Sequence, residues 1–296
     1  MGGESIPYFL INMNYKKYED LSNCIRKNIW KIPQDVDLIV GVPRSGMIPA
    51  LMIAELLNIQ CTDIDSFVDG RIMSCGGRGN LITKRPIKKV LVLDDTSYGG
   101  GAMRRAKDKT AQLREKYDIL YGCIYAEGQH AKSFVDIYFE DIYRPGPHWL
   151  YEWNILHHYE GISKNSMWDV DGLLCKEPPA DTNQQAYETY LPNAVPMIIP
   201  TTEIGALVTY RLNKYRDVTE QWLRAHGIKY RELKMFPSDD RIARNNAESP
   251  AHYKSRIYAS AQWAKIFFES DRNQAMEIHR ITRKPVFCYE DGNLYV

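Results

Sequence analysis

The sequence predicts an α/β protein of two domains, each with a mainly parallel sheet flanked by helices. Short, continuously apolar runs alternate with amphipathic stretches, a pattern typical of buried parallel strands joined by helices. The length of 296 residues suits about two domains. Dense proline and glycine around residues 144–147 place the boundary near 160, which gives domains 1–160 and 161–296.

In the first domain, apolar runs predict four strands, at 37–42, 89–93, 119–125 and 135–139. Helical spacing of apolar residues predicts helices over 47–57 and from about 102 to 116. A turn follows each of the first two strands. Because ligands bind at the carboxyl ends of parallel strands, these two turns are the places to look for a site.

The second domain repeats this pattern. Its predicted strands begin at Ser166 and lie at 204–209, 264–268 and 285–288, with helices over about 214–226 and 273–282. The last two strands and the helix between them form a βαβ unit. The first strand leads directly into an acidic turn.

Composition excludes several classes of protein. Lys and Arg total 38 against 37 Asp and Glu, so the excess of positive charge that a sequence-blind nucleic-acid binder needs is missing. No apolar run approaches the ~20 residues of a membrane span. The short patch Pro7–Asn12 has no basic region before it, so no signal peptide is expected. Six cysteines without CxxC spacing predict reduced, mostly buried thiols and a cytoplasmic location.

An acidic pair and a glycine-rich turn follow the strand at 89–93. Asp94 and Asp95 precede the segment Thr96–Gly101 and then a helix. Glycines let backbone N–H groups converge, and a helix N-terminus adds positive potential, so a phosphate can bind there. The two carboxylates would bind sugar hydroxyls or Mg²⁺. Taken alone, the segment leaves open a plain turn with a solvated acidic pair.

With two upstream segments, this turn resembles the 5-phosphoribosyl-1-pyrophosphate (PRPP) motif of type I phosphoribosyltransferases. The loop at 42–50 resembles that family's pyrophosphate loop, and the basic, glycine-rich segment 70–80 resembles its mobile catalytic loop. The resemblance implies that pyrophosphate is displaced from C1 of PRPP. The substrate-binding residues that it implies are Pro43, Arg44, Ser45, Gly46, Arg71, Asp94, Asp95, Thr96, Ser97, Tyr98, Gly99, Gly100 and Gly101.

The leaving pyrophosphate would be stabilised by Mg²⁺, held by Asp94 and Asp95, and by a loop cation. Arg44, Arg71, Arg78 and Lys84 are the candidates, with Arg78 taken as catalytic. For Arg71 and Arg78, a merely exposed arginine is the alternative.

Three positions depart from the family pattern. Tyr98 and Gly99 stand where the family usually has Thr or Asp and then Thr or Ser, and Ala102 replaces a final Thr. Fewer hydroxyls would therefore contact the 5-phosphate, and backbone donors and Ser97 would bind more of it. Purine-salvage members place a carboxylate base at the position of Tyr98, which argues against ordinary purine salvage.

The turn after the strand at Ser166 carries a second motif. Asp169-Val170-Asp171-Gly172 resembles the first motif of the haloacid-dehalogenase (HAD) phosphohydrolases. The resemblance implies that Asp169 attacks phosphorus, that Asp171 protonates the leaving oxygen and later activates water, and that the carbonyl of Val170 joins Asp169 and Asp171 around Mg²⁺. An isolated Asp-x-Asp could equally be a metal site or a solvated turn.

Later segments resemble the remaining HAD motifs in order. Thr209 matches the residue that holds the phosphoryl oxygens, and Lys254 matches the lysine that neutralises nucleophile and phosphate. Glu269, with Asp271 as its alternative, matches the acid that completes the Mg²⁺ site. The short interval between Asp171 and Thr209 leaves little room for a cap domain, so an open site that accepts a bulky substrate is expected.

Together the resemblances predict a type I phosphoribosyltransferase fused to a capless HAD-like phosphatase. The first site would transfer 5-phosphoribosyl from PRPP to an acceptor, and the second would remove the 5-phosphate. By analogy with bacterial systems that build ribofuranose into surface polysaccharides, a glycan acceptor is expected, while a small-molecule acceptor stays open. The alternatives are a nucleobase or orotate-like phosphoribosyltransferase with a nucleotidase, and a regulatory protein that senses PRPP. The oligomeric state also stays open, a homodimer included.

Overall fold

The computed structural model describes residues 13–74, 76–79, 86–143, 149–157, 160–179 and 183–296. The chain divides into an N-terminal unit, residues 18–145, and a C-terminal unit formed by residues 1–17 and 146–296. The division falls at 145 rather than at the expected 160. The reason is that β1 (Tyr15–Lys16) pairs in parallel with β7 (Leu150–Tyr151), so both flanks of the N-terminal unit belong to the C-terminal unit.

The N-terminal unit contains a fully parallel sheet with the strand order β3-β2-β4-β5-β6. Its strands are β2 (Leu38–Gly41), β3 (Gln60–Asp63), β4 (Lys89–Ser97), β5 (Asp118–Ala126) and β6 (Ile137–Asp141). Its helices are α1 (Tyr18–Asn28), α2 (Met47–Leu57), α3 (Ile64–Val68), α4 (Gly101–Lys109) and α5 (Gln129–Lys132), with 3₁₀ turns at Ile29–Lys31, Gly76–Arg78 and Ala111–Glu115. The four predicted strands and the helix over 47–57 are all present.

Two predicted elements of this unit have different bounds. β4 continues past Leu93 through the acidic pair to Ser97, and all but its first residue and Thr96 are buried. The helix expected to reach residue 116 ends at Lys109, where the hydroxyl of Thr110 donates to the carbonyl of Ala106 at 2.8 Å. The same carbonyl also accepts the amide of Thr110 at 3.1 Å, and a 3₁₀ turn follows.

The C-terminal unit contains a six-stranded sheet in the order β10-β9-β8-β11-β12-β13, parallel except for its last pair. The strands are β8 (Ser166–Trp168), β9 (Ile204–Leu212), β10 (Tyr230–Phe236), β11 (Ile266–Glu269), β12 (Val286–Cys288) and β13 (Leu294–Tyr295). The helices are α6 (Glu160–Ser163), α7 (Gln184–Asn193), α8 (Arg216–Ala225), α9 (Arg241–Ala247), α10 (Pro250–Ser260) and α11 (Arg272–Thr282), with 3₁₀ turns at Ile155–His157 and Asn213–Tyr215. Hydrophobic clusters around Trp168 and Phe267 form its core.

The helix α10 holds the lysine that sequence analysis singled out. It begins with Pro250, and the hydroxyl of Ser249 accepts the amide of His252 at 3.3 Å. Proline at the first helical position and serine at the N-cap are strong start signals. This start places Lys254 one turn into the helix, where its side chain is buried.

Five cysteines lie within the described ranges, Cys24, Cys61, Cys123, Cys175 and Cys288, and all five are buried free thiols. Cys75 and the N-terminal patch Pro7–Asn12 lie outside those ranges. Of the helices that the structure describes, none combines the length and apolar character that crossing a membrane would require.

Candidate functional site

The loops that follow β2 and β4 meet at one edge of the N-terminal sheet. β2 and β4 are neighbours, yet the chain first leaves β2 for β3 on the opposite side, so a crevice is expected between the two loops. The hydroxyl of Ser45 donates to Asp95 Oδ1 at 3.0 Å. A Cβ on Gly46 would lie 2.8 Å from Asp94 Oδ1, so the close approach needs glycine. The two segments assigned to one ligand are therefore in contact.

A pocket of about 470 Å³ opens at this edge. Of the predicted binding residues, Pro43, Ser45 and the whole stretch Asp94–Gly101 line it. Burial, and then the charge of Asp95, raise the pKa of Asp94 well above its usual range. A sugar hydroxyl or a cation beside this pair would relieve that cost.

The far end of this pocket is the glycine-rich turn. Gly100 has φ +68, and a Cβ there would lie 2.1 Å from the ring of Phe134. No side chain caps α4, so its first amides are available to an anion. The hydroxyl of Ser97 donates to the carbonyl of Ala131 at 3.2 Å, which directs its proton to the backbone rather than to a phosphate. Backbone donors therefore carry more of the expected phosphate contact.

The two predicted loop cations whose side chains are described, Arg44 and Arg71, do not line this pocket. Arg44 is exposed and does not line it, and Arg71 is exposed and pairs with Asp69 at 2.7 Å. The side chain of Arg78 and the whole of Lys84 lie outside the described residues. Arg105 and Lys109 line the pocket instead.

Sequence reasoning missed these two cations, although a signal existed. Gly101, Arg105 and Lys109 are four residues apart, so they share one face of α4. If the first residue of a helix faces a ligand, the residues one and two turns later lie on the same side of the helix and also face it.

In the C-terminal unit, residues from three distant segments meet around one lysine. Asp169 follows β8, and Glu269 ends β11, its neighbour in the sheet. Lys254 Nζ donates to Asp169 Oδ2 at 2.7 Å, to Glu269 Oε2 at 2.8 Å and to Gln274 Oε1 at 3.0 Å. The side chains of Lys254, Asp169 and Glu269 are at most 5% exposed.

Burial dominates the electrostatics of this cluster. Burial, and then the charge of Glu269, raise the pKa of Asp169 well above its usual range. Burial alone would lower the pKa of Lys254, but Asp169 and Glu269 raise it overall. The lysine is therefore held as a cation between two acids that repel each other.

A second ion pair fixes Asp171. Arg211 donates from Nε to Asp171 Oδ2 at 2.9 Å and from Nη2 to Oδ1 at 2.6 Å. The hydroxyl of Tyr190 donates to Oδ1 at 3.1 Å. Burial would raise the pKa of Asp171, yet Arg211 lowers it below its usual value. Asp171 is thus ionised in this arrangement.

Sequence analysis expected Thr209 to contact the phosphoryl oxygens, but among these two residues of β9 it is Arg211 that lines the pocket. Thr209 is fully buried, its hydroxyl oxygen accepts the amide of Arg211 at 3.2 Å, and it does not line the pocket. Arg211 does line the pocket.

Two predicted metal ligands, Val170 and Asp271, form hydrogen bonds to nearby backbone amides. The carbonyl of Val170 accepts the amides of Leu174 at 2.9 Å and Cys175 at 3.2 Å, so it belongs to the turn. Asp271 Oδ1 accepts the amide of Gln274 at 2.7 Å and caps α11. Neither residue lines the pocket.

Whether Mg²⁺ fits the C-terminal site depends on the oxygen donors that the site provides. Within the described ranges, no group of three or more His, Cys, Asp or Glu side chains is arranged to hold a metal. Asp169 and Glu269 approach the same ammonium group, and their mutual repulsion would be relieved by a cation. Mg²⁺ is commonly bound by one or two carboxylates plus water and substrate phosphate. This pair fits Mg²⁺ by donor type, whereas Asp171 is held by Arg211.

An open pocket of about 390 Å³ adjoins this cluster. Its acidic lining is Asp169, Asp171 and Glu177, and its cationic lining is Arg211, Lys214, Arg241, Arg244 and Lys254. Burial, and then the charge of Asp171, raise the pKa of Glu177 to about 7. Gly172 has φ +76, and a Cβ there would lie 2.7 Å from Glu177 Oε1, so only glycine lets this carboxyl approach the turn.

No protein-family model and no curated protein matches the chain. Solved structures with similarity to it include the xanthine-guanine-hypoxanthine phosphoribosyltransferase of Helicobacter pylori, at 15% identity over 49% of this chain and 93% of that one, with a TM-score of 0.37. A purine phosphoribosyltransferase from Pyrococcus horikoshii matches at 20% identity over 48% of this chain and 93% of that one, with a TM-score of 0.34. A Neisseria gonorrhoeae protein with bound ppGpp matches at 18% identity over 48% and 90%, with a TM-score of 0.35. TM-scores this low do not establish a common fold, so the function must be argued from the two sites.

Proposed function

We propose that this protein transfers a 5-phosphoribosyl group from PRPP to an acceptor and then removes the 5-phosphate. The observation that carries the proposal is that each unit gathers distant motif residues into one pocket. Asp95 meets Ser45 in the N-terminal unit, and Lys254 joins Asp169 to Glu269 in the C-terminal unit. Neither contact joins residues that are near in sequence.

The N-terminal pocket offers suitable partners for the parts of PRPP. Asp94 and Asp95 would accept hydrogen bonds from ribose hydroxyls, and the amides at the start of α4 would bind the 5-phosphate. In the transfer, an acceptor oxygen forms a bond to C1 as the bond from C1 to the pyrophosphate oxygen breaks. The acceptor proton is released, and Arg105 and Lys109 are the described cations that could balance charge on the phosphates.

The C-terminal pocket is arranged for hydrolysis of the resulting 5-phosphate. A carboxylate oxygen of Asp169 attacks phosphorus, the bond from phosphorus to the ribose O5 breaks, and O5 takes a proton from solvent water, because Asp171 is ionised in its pair with Arg211. Water then attacks the aspartyl phosphate and releases inorganic phosphate, restoring Asp169. Lys254 and Arg211, rather than Thr209, supply the cations for the phosphoryl oxygens.

Mg²⁺ is proposed as the cofactor of both sites, where it neutralises phosphate charge. In the C-terminal unit, Asp169 and Glu269 would hold it. In the N-terminal unit, the buried pair Asp94 and Asp95 offers the matching oxygen donors.

The acceptor is proposed to be a glycan hydroxyl. A fused phosphatase discards the 5-phosphate that nucleotide synthesis would keep, and this favours a pathway that ends in a riboside. Tyr98 is 59% exposed at the mouth of the first pocket, where a base-specific site would need a polar group held against the base.

Mass spectrometry of the products tests the proposal. The purified protein with Mg²⁺, PRPP and a panel of sugars and bases should yield pyrophosphate, phosphate and a dephosphorylated riboside. Asp169→Asn should stop at the 5-phosphorylated riboside. Asp217→Asn, an exposed aspartate in the first turn of α8, is the matched control and should behave as wild type.

Two results would contradict the proposal. A dephosphorylated riboside from Asp169→Asn would remove Asp169 as the nucleophile. Absence of pyrophosphate with every acceptor, together with tight PRPP binding, would favour a sensor of PRPP over a transferase.

A further inference from the structure

The pocket of the C-terminal unit is lined by cations other than those in its ion pairs. Lys254 is neutralised by Asp169 and Glu269, and Arg211 is neutralised by Asp171. Two further cations that line the pocket are Lys214 and Arg244, which we call the cationic wall. Among the described residues, no carboxylate forms an ion pair with either of these two side chains, in contrast to Lys254 and Arg211.

Arg244 is the clearest member of the wall. Its guanidinium lies 4.5 Å from the ring centre of Tyr210, donates to the carbonyl of Tyr210 at 2.9 Å, and donates to Asn245 Oδ1 at 3.1 and 3.0 Å. These partners are neutral, and no carboxylate of the described chain lies within 4.0 Å of it. Burial lowers the pKa of Arg244. A half-buried cation of this kind favours an anionic ligand.

Lys214 lies on the 3₁₀ turn that precedes α8 and lines the same pocket as Arg244. Its Nζ is 5.0 Å from the ring centre of Tyr215, and the described residues provide it with no ion pair. Tyr187, Tyr210 and Tyr215 line the same pocket, and the rings of Tyr187 and Tyr215 are 5.4 Å apart. Aromatic faces suit a sugar ring held between two polar ends.

We propose that the cationic wall binds a second anionic group of the substrate, so that this site takes ribosyl 5-phosphates whose other end carries a phosphate or a carboxylate. The inference rests on the proposed phosphatase activity and adds a substrate class to it. The 5-phosphate would lie at Asp169 and Lys254, and the second anion would lie at Arg244 and Lys214.

Three small probes test this directly, each measured as loss of its 5-phosphate by phosphorus NMR. They are methyl ribofuranoside 5-phosphate, carboxymethyl ribofuranoside 5-phosphate and ribose 1,5-bisphosphate. The full-length wild-type protein should show a kcat/KM about tenfold higher for an anionic probe than for the methyl probe, the effect of one charge-assisted hydrogen bond. A preference for the bisphosphate alone identifies the second anion as phosphate, and a preference for both probes identifies a general anion site.

Substitutions in the cationic wall distinguish a loss of anion binding from a loss of folding. Arg244→Gln and Lys214→Gln should each bring the ratio of anionic to neutral kcat/KM close to one, mainly through KM. Lys214 is exposed, so its substitution should not disturb the fold. Arg280→Gln removes an exposed arginine that pairs with Glu277 outside the pocket and should leave the ratio high.

Equal kcat/KM for all three probes in the wild type would overturn the second-anion site while leaving the phosphatase in place. A uniform loss for every probe in both wall variants would also overturn it, because that result indicates a structural role. Failure of the wild type to hydrolyse any probe would overturn the phosphatase assignment itself, and the inference with it.

Discussion

Arg211 holds Asp171 by two hydrogen bonds, with Nε 2.9 Å from Oδ2 and Nη2 2.6 Å from Oδ1, and its side chain is 1% exposed. The planar guanidinium matches a carboxylate in a way that an ammonium cannot. The pair therefore fixes the orientation of the second aspartate of the motif as well as its charge.

Arg211→Met should leave the carboxylate of Asp171 buried without its cation. We expect a loss of about 3–5 kcal/mol in the free energy of unfolding, as for other broken buried pairs, together with loss of phosphatase activity. Arg211→Lys keeps the positive charge but cannot make two parallel hydrogen bonds to the carboxylate. It should lose less unfolding free energy than Arg211→Met but still lose most of the phosphatase activity. Urea unfolding followed by tryptophan fluorescence measures the first effect. Unchanged stability of Arg211→Met would show that the pair does not hold Asp171.

Lys254→Met should leave Asp169 and Glu269 facing each other without the ammonium group. The expected loss in unfolding free energy is about 3–5 kcal/mol at pH 8. Because burial and mutual repulsion raise the pKa of Asp169, the acids of the variant take up protons as the pH falls, and the deficit should shrink toward pH 5. Glu269→Gln added to Lys254→Met should recover part of the stability. A deficit that is constant between pH 8 and pH 5 would contradict this account.

Asp94→Asn should stabilise the N-terminal unit while abolishing transfer. The pKa of Asp94 is raised by burial and by Asp95, so its contribution to stability is full at low pH and is lost as the pH rises through the raised value. Asparagine stays neutral and can still accept the amide of Asp95, which lies 2.9 Å from Asp94 Oδ1. The gain in unfolding free energy of the variant over the wild type should be near zero below the ordinary pKa of an aspartate. It should reach about 0.5–2 kcal/mol at neutral pH. Thermal unfolding at several pH values measures it, and a variant less stable at pH 7 would count against the electrostatic cost.

Gly100→Ala should damage the transferase site and leave the phosphatase intact. The left-handed backbone at φ +68 costs an alanine about 1–2 kcal/mol, and the new Cβ would also collide with Phe134. Pyrophosphate release should therefore fall, while hydrolysis of ribose 5-phosphate continues. Gly99→Ala is the matched control, since a Cβ at Gly99 meets no atom within 4 Å. Equal behaviour of the two variants would show that the backbone at Gly100 is not required.

The central strands were predictable because they are buried on both faces. All four residues of β2 are buried, and such strands are continuously apolar in sequence. β10 was missed because it lies at the sheet edge, where Arg231, Glu232 and Lys234 are exposed and conceal the apolar pattern.

Some of the site residues were likewise predictable from the sequence, and others were not. Asp169 and Asp171 lie in one short motif that can be read directly. The role of Arg211 depends on a contact between residues 40 apart in sequence, and an arginine in a strand gives no local sign of such a contact. The carbonyl of Val170 accepts the amides of Leu174 and Cys175, and these contacts follow from the closed turn, which spacing alone does not show.

The pairing of β1 with β7 also affects how the chain folds as it is synthesised. The hydroxyl of Tyr15 donates to the carbonyl of Gly292 at 2.9 Å, and Lys17 Nζ donates to Asn293 Oδ1 at 2.9 Å. Residues 18–145 are contiguous and can fold while the ribosome is still translating the rest. Because Tyr15 and Gly292 are 277 residues apart, these contacts can form only after almost the whole chain has been synthesised, and a fragment that starts at residue 18 would lack them.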